Sequence, residues 1–333
     1  MSRPTLLFLA GLLIALLLLP LAADEYLLHM AVLVLLYAYL SSAWNILGGY
    51  AGQHSLGHAV FLGIGAYAST YLFVQWGLSP WIGMWVGGAL SALAGWFIGY
   101  LCFRYGLKGP YFALVTIALA EACVYLASNA DVIGGAMGME VKWMGQRPDL
   151  MQFDGKAGYY YIILALTVLG IIITRWLCHR RPGFQWMAVR ENEDAAEALG
   201  VYTLRTKIQA TALSAAMTAI GGTFYAQYFT YINPRSVFGE GPSVQILLFA
   251  IIGGLGTVWG PAVGALVLVP IAEIARAKLG GSFGGAHLLL YGGVMVLVML
   301  FMPKGIIGVA ENIRARLTRP QPAAMEARVD EAT

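Results

Sequence analysis

The sequence has little charge. Asp, Glu, Lys and Arg make up only 11% of its 333 residues, whereas hydrophobic residues make up 59%. A soluble domain is about one quarter charged, because it needs those residues to cover its surface. The composition therefore excludes an ordinary soluble protein and favours a surface that faces lipid. The net charge of +3 is small, and no basic run is interleaved with aromatic residues, so we expect no nucleic-acid partner.

The chain also lacks the usual motifs of redox, metal and nucleotide chemistry. Its cysteines, Cys102, Cys123 and Cys178, have neither disulfide nor zinc spacing, so we interpret them as small apolar residues. His54 and His58 have no acidic or cysteine neighbour in sequence, so we predict no metal site. A phosphate-binding G-x-x-x-x-G-K-[ST] loop is absent, and no nucleophiles and acids cluster. We therefore predict no catalytic residues.

In place of these motifs there is a series of apolar runs, each close to the roughly 20 residues that cross a bilayer. They lie at 5–22, 26–47, 59–76, 81–103, 111–128, 158–177, 207–230 and 286–302. The first run partly resembles a secretory signal, but its length and the spans that follow favour an uncleaved helix.

The distribution of Lys and Arg sets the number of crossings, because short cytoplasmic loops collect these residues. Residues 244–275 are too long for one span and are interrupted by glycines between 253 and 260. Two short helices there return the basic C-terminus to the inside. A second interruption, rich in glycine and polar residues, lies at 45–67. The sequence thus predicts an all-α polytopic transmembrane bundle of about ten crossings, including broken or short helices. We expect one transmembrane domain over 1–320 and a flexible cytoplasmic tail over 321–333.

One charged segment stands out from this apolar background: residues 190–207, RENEDAAEALGVYTLRTK, contain four acids and three bases. Asn192 is a suitable N-cap, and Glu193 and Asp194 occupy the first turn, where a helix favours acids. Gly200 suits the position after the helix end. We therefore predict a short helix of about two turns within a cytoplasmic loop at about 178–206.

The stretch DAAEALG, from Asp194 to Gly200, resembles the EAA loop of ABC-importer permeases. It departs from that pattern at Asp194, where the family usually has Glu, and it lacks the usual downstream Ile-x-Leu-Pro. The resemblance implies a coupling helix that docks into a groove of a separate ATPase. The residues implied in coupling are Glu193, Asp194, Ala195, Ala196, Glu197, Leu199 and Gly200. The alternative is a solvated loop helix without a partner.

Other stretches narrow the resemblance. GQHSLGHAVFLGIGAYAS, GPYFALVTIALAE, GGAMGM and AIIGGLGTVWGPAVGAL, spread over about residues 30–310, resemble the LivM-type branched-chain amino acid permeases. This implies a multi-pass subunit of the bacterial inner membrane, working by ATPase-driven alternating access. The implied partners are a homologous second permease in a heterodimer, two ATP-binding subunits and a periplasmic solute-binding protein. ATP and Mg would be bound by the ATPase, and we expect no cofactor in this chain.

Alternatives remain for the solute and the energy source. Urea and amide ABC permeases of the same superfamily share many of these features. An ion-coupled secondary transporter would need several buried acids, and Glu121 is almost alone within a span. Five polar residues are candidates to line a substrate pathway, with interhelical packing as their other interpretation: Asn45, Gln53, Ser55, His58 and Glu121. The loops 129–157 and 233–241 are candidate landing places for a binding protein.

Overall fold

A computed structural model of the chain describes residues 3–279, 292–293, 296 and 305–308. Its helices are α1 (Arg3–Ala22), α2 (Glu25–Asn45), α3 (Ala59–Trp76), α4 (Pro80–Arg104), α5 (Pro110–Ser128), α6 (Lys156–Cys178), α7 (Arg181–Glu191), α8 (Glu193–Ala198), α9 (Thr203–Phe229), α10 (Pro234–Phe238), α11 (Glu240–Gly254) and α12 (Gly260–Leu279). A π-helical turn, Ile46–Tyr50, extends α2, and the single-turn 3-10 helices are Asp131–Ile133, Gly135–Met137 and Pro148–Leu150. Two short strands, β1 (Met139–Glu140) and β2 (Tyr231–Ile232), pair antiparallel.

The predicted all-α membrane bundle is confirmed. Seven helices of the described part are long and apolar enough to cross a bilayer. The predicted division of residues 244–275 is also confirmed, since α11 ends at Gly254 and α12 begins at Gly260. Most of the predicted span 286–302 and all of the tail 321–333 lie outside the described residues, so the count of ten crossings stays a prediction.

Helix α9 is the least apolar of the long helices, and its burial explains why. It has 27 residues, which corresponds to about 40 Å of helix. It packs mainly against α4 and α3, and further against α2, so much of its surface meets protein rather than lipid. Polar hydroxyls can therefore lie along it, provided that they are hydrogen-bonded. Ser214 donates to a carbonyl of α2, and Thr211 donates to the carbonyl of Lys207.

Contacts between loops show which loops lie at the same end of the bundle. Lys108, in the loop between α4 and α5, pairs with Glu193 of α8 at 3.2 Å. The α4–α5 loop and the segment that contains α8 therefore lie at the same end of the bundle. At the opposite end, Met139 of the 129–155 loop pairs with Ile232, which follows α9. The indole of Trp81 donates to the carbonyl of Pro148 at this same end. The alternation agrees with the positive-inside prediction, and we name the first end inner and the second outer.

Small residues spaced four apart on one helix let neighbouring helices come into close contact. Gly83 and Gly87 of α4 lie against Ser69 and Gly65 of α3. A β-carbon at Gly87 would lie 3.1 Å from the α-carbon of Gly65. The close approach lets the two backbones pack with few intervening side chains.

Candidate coupling site and broken spans

The predicted short helix in the charged segment is confirmed as α8. The side chain of Asn192 accepts a hydrogen bond from the backbone N–H of Ala195 at 3.0 Å, which caps the helix start. The helix runs over Glu193–Ala198, and Gly200 follows it with a φ of +86°. The left-handed conformation favours glycine at this position.

The two central alanines of α8 differ in exposure. Ala196 is only 3% exposed and packs against its own chain. Ala195 and Ala198 are exposed, and beyond them Leu199 is 86% exposed and Tyr202 is 77% exposed. We call these four exposed residues the α8 face. Ala196 therefore lies behind this face and presents no surface to a partner. The remaining predicted coupling residues Asp194, Glu197 and Gly200 are exposed.

Glu193 points inward and anchors α8 to the bundle. Its carboxylate pairs with Lys207 of α9 at 2.5 Å and with Lys108 at 3.2 Å. The Lys207 side chain is only 2% exposed, and its ammonium lies 4.8 Å from the centre of the Phe103 ring. A buried ammonium needs a compensating charge, and Glu193 supplies it. The pair thus joins the exposed helix to the longest described helix of the bundle.

Opposing effects act on the titration of Glu193. Burial alone would raise the pKa of its carboxyl, but the hydrogen bond and charge of Lys207, and then those of Lys108, outweigh burial. The pKa of Glu193 is therefore held below its ordinary value. The hydrogen bond to Glu193 also raises the pKa of the Lys108 ammonium. Both shifts favour the charged forms of Glu193 and Lys108.

Helix α7 connects α8 to the rest of the inner end. The buried indole of Trp186 donates to the carbonyl of Thr206 at 3.1 Å, which fixes α7 on the first turns of α9. At the end of α7, Arg190 donates through Nη1 to the carbonyl of Gly49 at 3.0 Å. Neither Lys207 nor Arg190 was predicted as a functional residue from sequence. The sequence did contain a signal for Lys207, because more than twenty uncharged residues follow this lysine, which makes it the last charge before a long apolar segment.

The predicted interruption at 45–67 is a break between the π-helical turn and α3, and we call it the first break (residues 51–58). Non-helical backbone within a membrane protein must find partners inside the protein. Two of its backbone groups and the first N–H of α3 do so. The N–H of Leu56 donates to Thr116 of α5, the carbonyl of Ser55 accepts from Trp44, and Ala59 N–H donates to Ser243 of α11.

The predicted pathway residues of this region are deeply buried. His58 is fully buried, and its Nε2 lies 3.1 Å from the hydroxyl of Ser214. That hydroxyl donates to the carbonyl of Ala43, so His58 Nε2 donates to the hydroxyl. Gln53 is 8% exposed and donates to Ala51, while the Ser55 side chain is 2% exposed. These contacts hold the first break in place, and a pathway role for the three residues stays a prediction.

Asn45, the last residue of α2, joins the end of that helix to the second break, residues 255–259 between α11 and α12. Its side-chain oxygen accepts from the N–H of Gly256 at 2.9 Å, and its amide nitrogen donates to the carbonyl of Thr257 at 2.8 Å. Asn45 is 1% exposed. Its carboxamide is thus engaged between the end of α2 and the second break, and a contact with solute would require these bonds to open.

Glu121 lies in a different setting, halfway along α5. The side chain is half-buried at the edge between the packed face of α5, which includes Thr116 and Val124, and its exposed face, which includes Leu114 and Tyr125. Among the described residues its carboxylate has neither an ion pair nor a hydrogen bond. Such a carboxylate is costly in lipid and is expected to meet water or protein.

Metal-binding groups do not gather in the described part of the chain. No group of three or more His, Cys, Asp or Glu side chains there could hold a metal ion. Cys102 is buried, and Cys123 and Cys178 are partly buried free thiols.

A family model described as "Branched-chain amino acid transport system / permease component" matches residues 26–299. The chain belongs to this permease family. The matched residues include both breaks, α8 and the Lys207–Glu193 pair. The family assignment and the seven apolar helices together make the chain a multi-pass membrane protein.

Individual permeases of the family are similar over most of the chain. The high-affinity branched-chain amino acid transport system permease protein LivM of Escherichia coli strain K12 is 28% identical, over 95% of this chain and 76% of its own length. A probable branched-chain amino acid transport permease protein LivM of Methanocaldococcus jannaschii is 24% identical, over 82% of this chain and 90% of its own. The high-affinity branched-chain amino acid transport system permease protein LivH of Escherichia coli strain K12 is 23% identical, over 82% of this chain and 91% of its own length. No solved structure matches the chain.

Close packing at the first break yields a prediction for this permease. A β-carbon on Gly57 would fall well inside contact distance of the Thr116 carbonyl, and backbone atoms have little freedom to move aside. We expect Gly57→Ala to push α5 away and to reduce the monodisperse fraction on size-exclusion chromatography in detergent several-fold. Gly88→Ala is the matched control, because its β-carbon would lie an ordinary 3.6 Å from Cγ1 of Ile220. Equal behaviour of the two variants would contradict the packing.

Proposed function

We propose that this chain is the permease subunit of an ABC importer that moves branched-chain amino acids across the bacterial inner membrane. The family match over residues 26–299 carries this proposal, and the relatives named for branched-chain amino acid transport support the solute. The chain supplies the membrane passage and changes between outward and inward access. It performs no covalent chemistry, and partner subunits bind ATP and Mg and hydrolyse the nucleotide.

The proposed ATPase contact is the α8 face. Ala195, Ala198, Leu199 and Tyr202 form an exposed, mostly apolar surface at the inner end, and α8 itself is held by Glu193. An isolated solvated loop would gain nothing from exposed Leu and Tyr side chains, whereas a protein partner can bury them. Small alanines at the centre of the face allow close approach.

The proposed second permease is a LivH-type chain. In Escherichia coli, relatives of this chain carry both the LivM and the LivH name, which supports two different permeases in one transporter. The proposed solute-binding protein lands on the outer end, where the 129–155 loop and residues 231–238 are joined through β1 and β2. This joint surface holds both predicted landing loops together.

The transport function is tested with the purified permease, its second permease, the ATPase subunits and the binding protein in proteoliposomes. We expect radiolabelled leucine uptake that requires ATP and the binding protein and that continues after ionophores collapse proton and sodium gradients. Excess urea or acetamide should not compete, whereas unlabelled isoleucine and valine should. Uptake that stops with the ionophores, or that proceeds without ATP, would contradict the proposal. Competition by urea or acetamide instead of isoleucine would reject the solute.

A further inference from the structure

Arg190, near the end of α7, contacts the first broken span through its side chain. Its Nη1 donates to the carbonyl of Gly49 at 3.0 Å, and its side chain is 34% exposed. Gly49 belongs to the π-helical turn that ends α2, where backbone carbonyls lack their usual intrahelical partners. The guanidinium therefore caps this helix end. Local π-helical turns are also frequent at functional positions.

The second break approaches the same guanidinium. Gly256 has a φ of +70°, and a β-carbon there would lie 2.6 Å from Arg190 Nη1. Glycine satisfies both demands, because it adopts a positive φ readily and leaves room for the arginine. Gly256 is in turn bonded to Asn45, the residue just before the π-helical turn. Arg190, Asn45, Gly49 and Gly256 thus form one connected cluster, which we call the arginine node.

The arginine node connects α7, which directly precedes α8, to both broken spans. Helix α7 is fixed to α9 by Trp186, and α8 is fixed to α9 by Glu193, so the inner helices form one supported unit. From that unit, Arg190 bonds to the end of α2, and its guanidinium lies close to Gly256 in the loop between α11 and α12. A displacement of α7 and α8 would therefore change the contacts of the two broken spans at the same time.

We propose that Arg190 is a positioning residue that links the ATPase-docking helices to both broken spans, so that the two breaks move together during transport. This inference rests on the proposed function, because it needs an ATPase that moves α7 and α8. A planar guanidinium suits the role, since it can keep its bond to Gly49 while its other nitrogens pair with Glu191. Coupling of this kind operates through an element with two arrangements that both sites bias.

The test compares Arg190→Gln, Arg190→Lys and Glu191→Gln in the assembled transporter in proteoliposomes. ATP hydrolysis and leucine uptake are measured on the same preparation, with and without binding protein. We expect Arg190→Gln to retain basal ATP hydrolysis but to lower leucine transported per ATP by about tenfold, within the range of ordinary coupling energies. Arg190→Lys keeps a long aliphatic chain and one charged donor nitrogen, so it should recover part of the leucine transported per ATP. Glu191→Gln leaves the bond to Gly49 intact and should match wild type.

Two results would overturn the proposal. One is an unchanged ratio of transport to hydrolysis in Arg190→Gln. The other is a proportional loss of hydrolysis and transport that follows a fall in thermal stability, which would make Arg190 a structural residue only. If Arg190→Gln does not assemble, leucine transported per ATP hydrolysed is measured in Arg190→Lys instead. A wild-type value in Arg190→Lys would contradict the role proposed for the planar guanidinium. Failure of the proposed function would look different, because wild-type transporter would then show no ATP-dependent uptake.

Discussion

Leu199→Arg is expected to abolish stable binding of the ATPase while leaving the permease folded. The Leu199 side chain is 86% exposed, so its replacement removes almost no packing within the chain. A cation also suits the end of α8, because the C-terminal end of a helix favours positive charge. Loss of an apolar anchor at the centre of an interface costs about 2 kcal/mol or more, which is roughly a thirtyfold change in affinity. Co-purification of the ATPase with the tagged permease measures the effect.

The matched control for this substitution is Met137→Arg. Met137 is 82% exposed but lies in the outer loop, at the opposite end from α8. The control adds the same charge to an equally exposed apolar position and should retain normal ATPase capture. Undiminished capture by Leu199→Arg, or an equal loss in both variants, would show that the α8 face is not the docking surface.

Glu193→Gln is expected to be the most damaging single change within the inner end. It leaves the ammonium of Lys207, which is 2% exposed, without a compensating charge, and breaking a buried pair from one side costs about 3 kcal/mol or more. Lys207→Met should cost less, because Glu193 keeps Lys108 and partial exposure to water. The double variant Glu193→Gln with Lys207→Met should recover much of the stability, since it leaves no unpaired charge. Thermal unfolding in detergent at neutral pH measures the relative stability of these two single variants and the double variant.

Lys108→Ala is the control for this series. Its side chain is 56% exposed, and a pair at such a position contributes about 0–1 kcal/mol. If Glu193→Gln is no worse than Lys108→Ala, the buried pair does not hold α8 in place. The pH dependence has a definite sign, because the pKa of Glu193 is held below its ordinary value. The stabilisation is fully present above the ordinary carboxyl range and is lost as pH falls through the lowered pKa.

Features set by neighbouring residues could be predicted from the sequence. Helix α8 is defined by an N-cap at Asn192 and a glycine at 200, both of which act within one or two turns. The interruption between α11 and α12 follows from glycines together with the charge of the loops on either side. The family resemblance, carried by short stretches of residues in order, was confirmed by the match over residues 26–299.

Features set by distant residues could not be predicted in the same way. The pairing of Lys207 with Glu193 depends on the rotation of α9 about its axis, which the helix's weakly periodic composition does not fix. The difference between Ala195 and Ala196 depends on how α8 rests on the bundle. Asn45 was predicted to line a pathway, yet its bonds reach Gly256 and Thr257, more than 200 residues along the chain. Nothing local to Asn45 indicates those partners.

The central claim is that the α8 face contacts the ATPase, and photo-cross-linking in the assembled transporter tests it most directly. A photoreactive residue at position 199 is compared with the same residue at position 169, where Leu169 is 53% exposed in the spanning helix α6. The account predicts a cross-link to the ATPase from position 199 and none from position 169. A transporter that remains assembled and active but gives no ATPase cross-link from position 199 would contradict it.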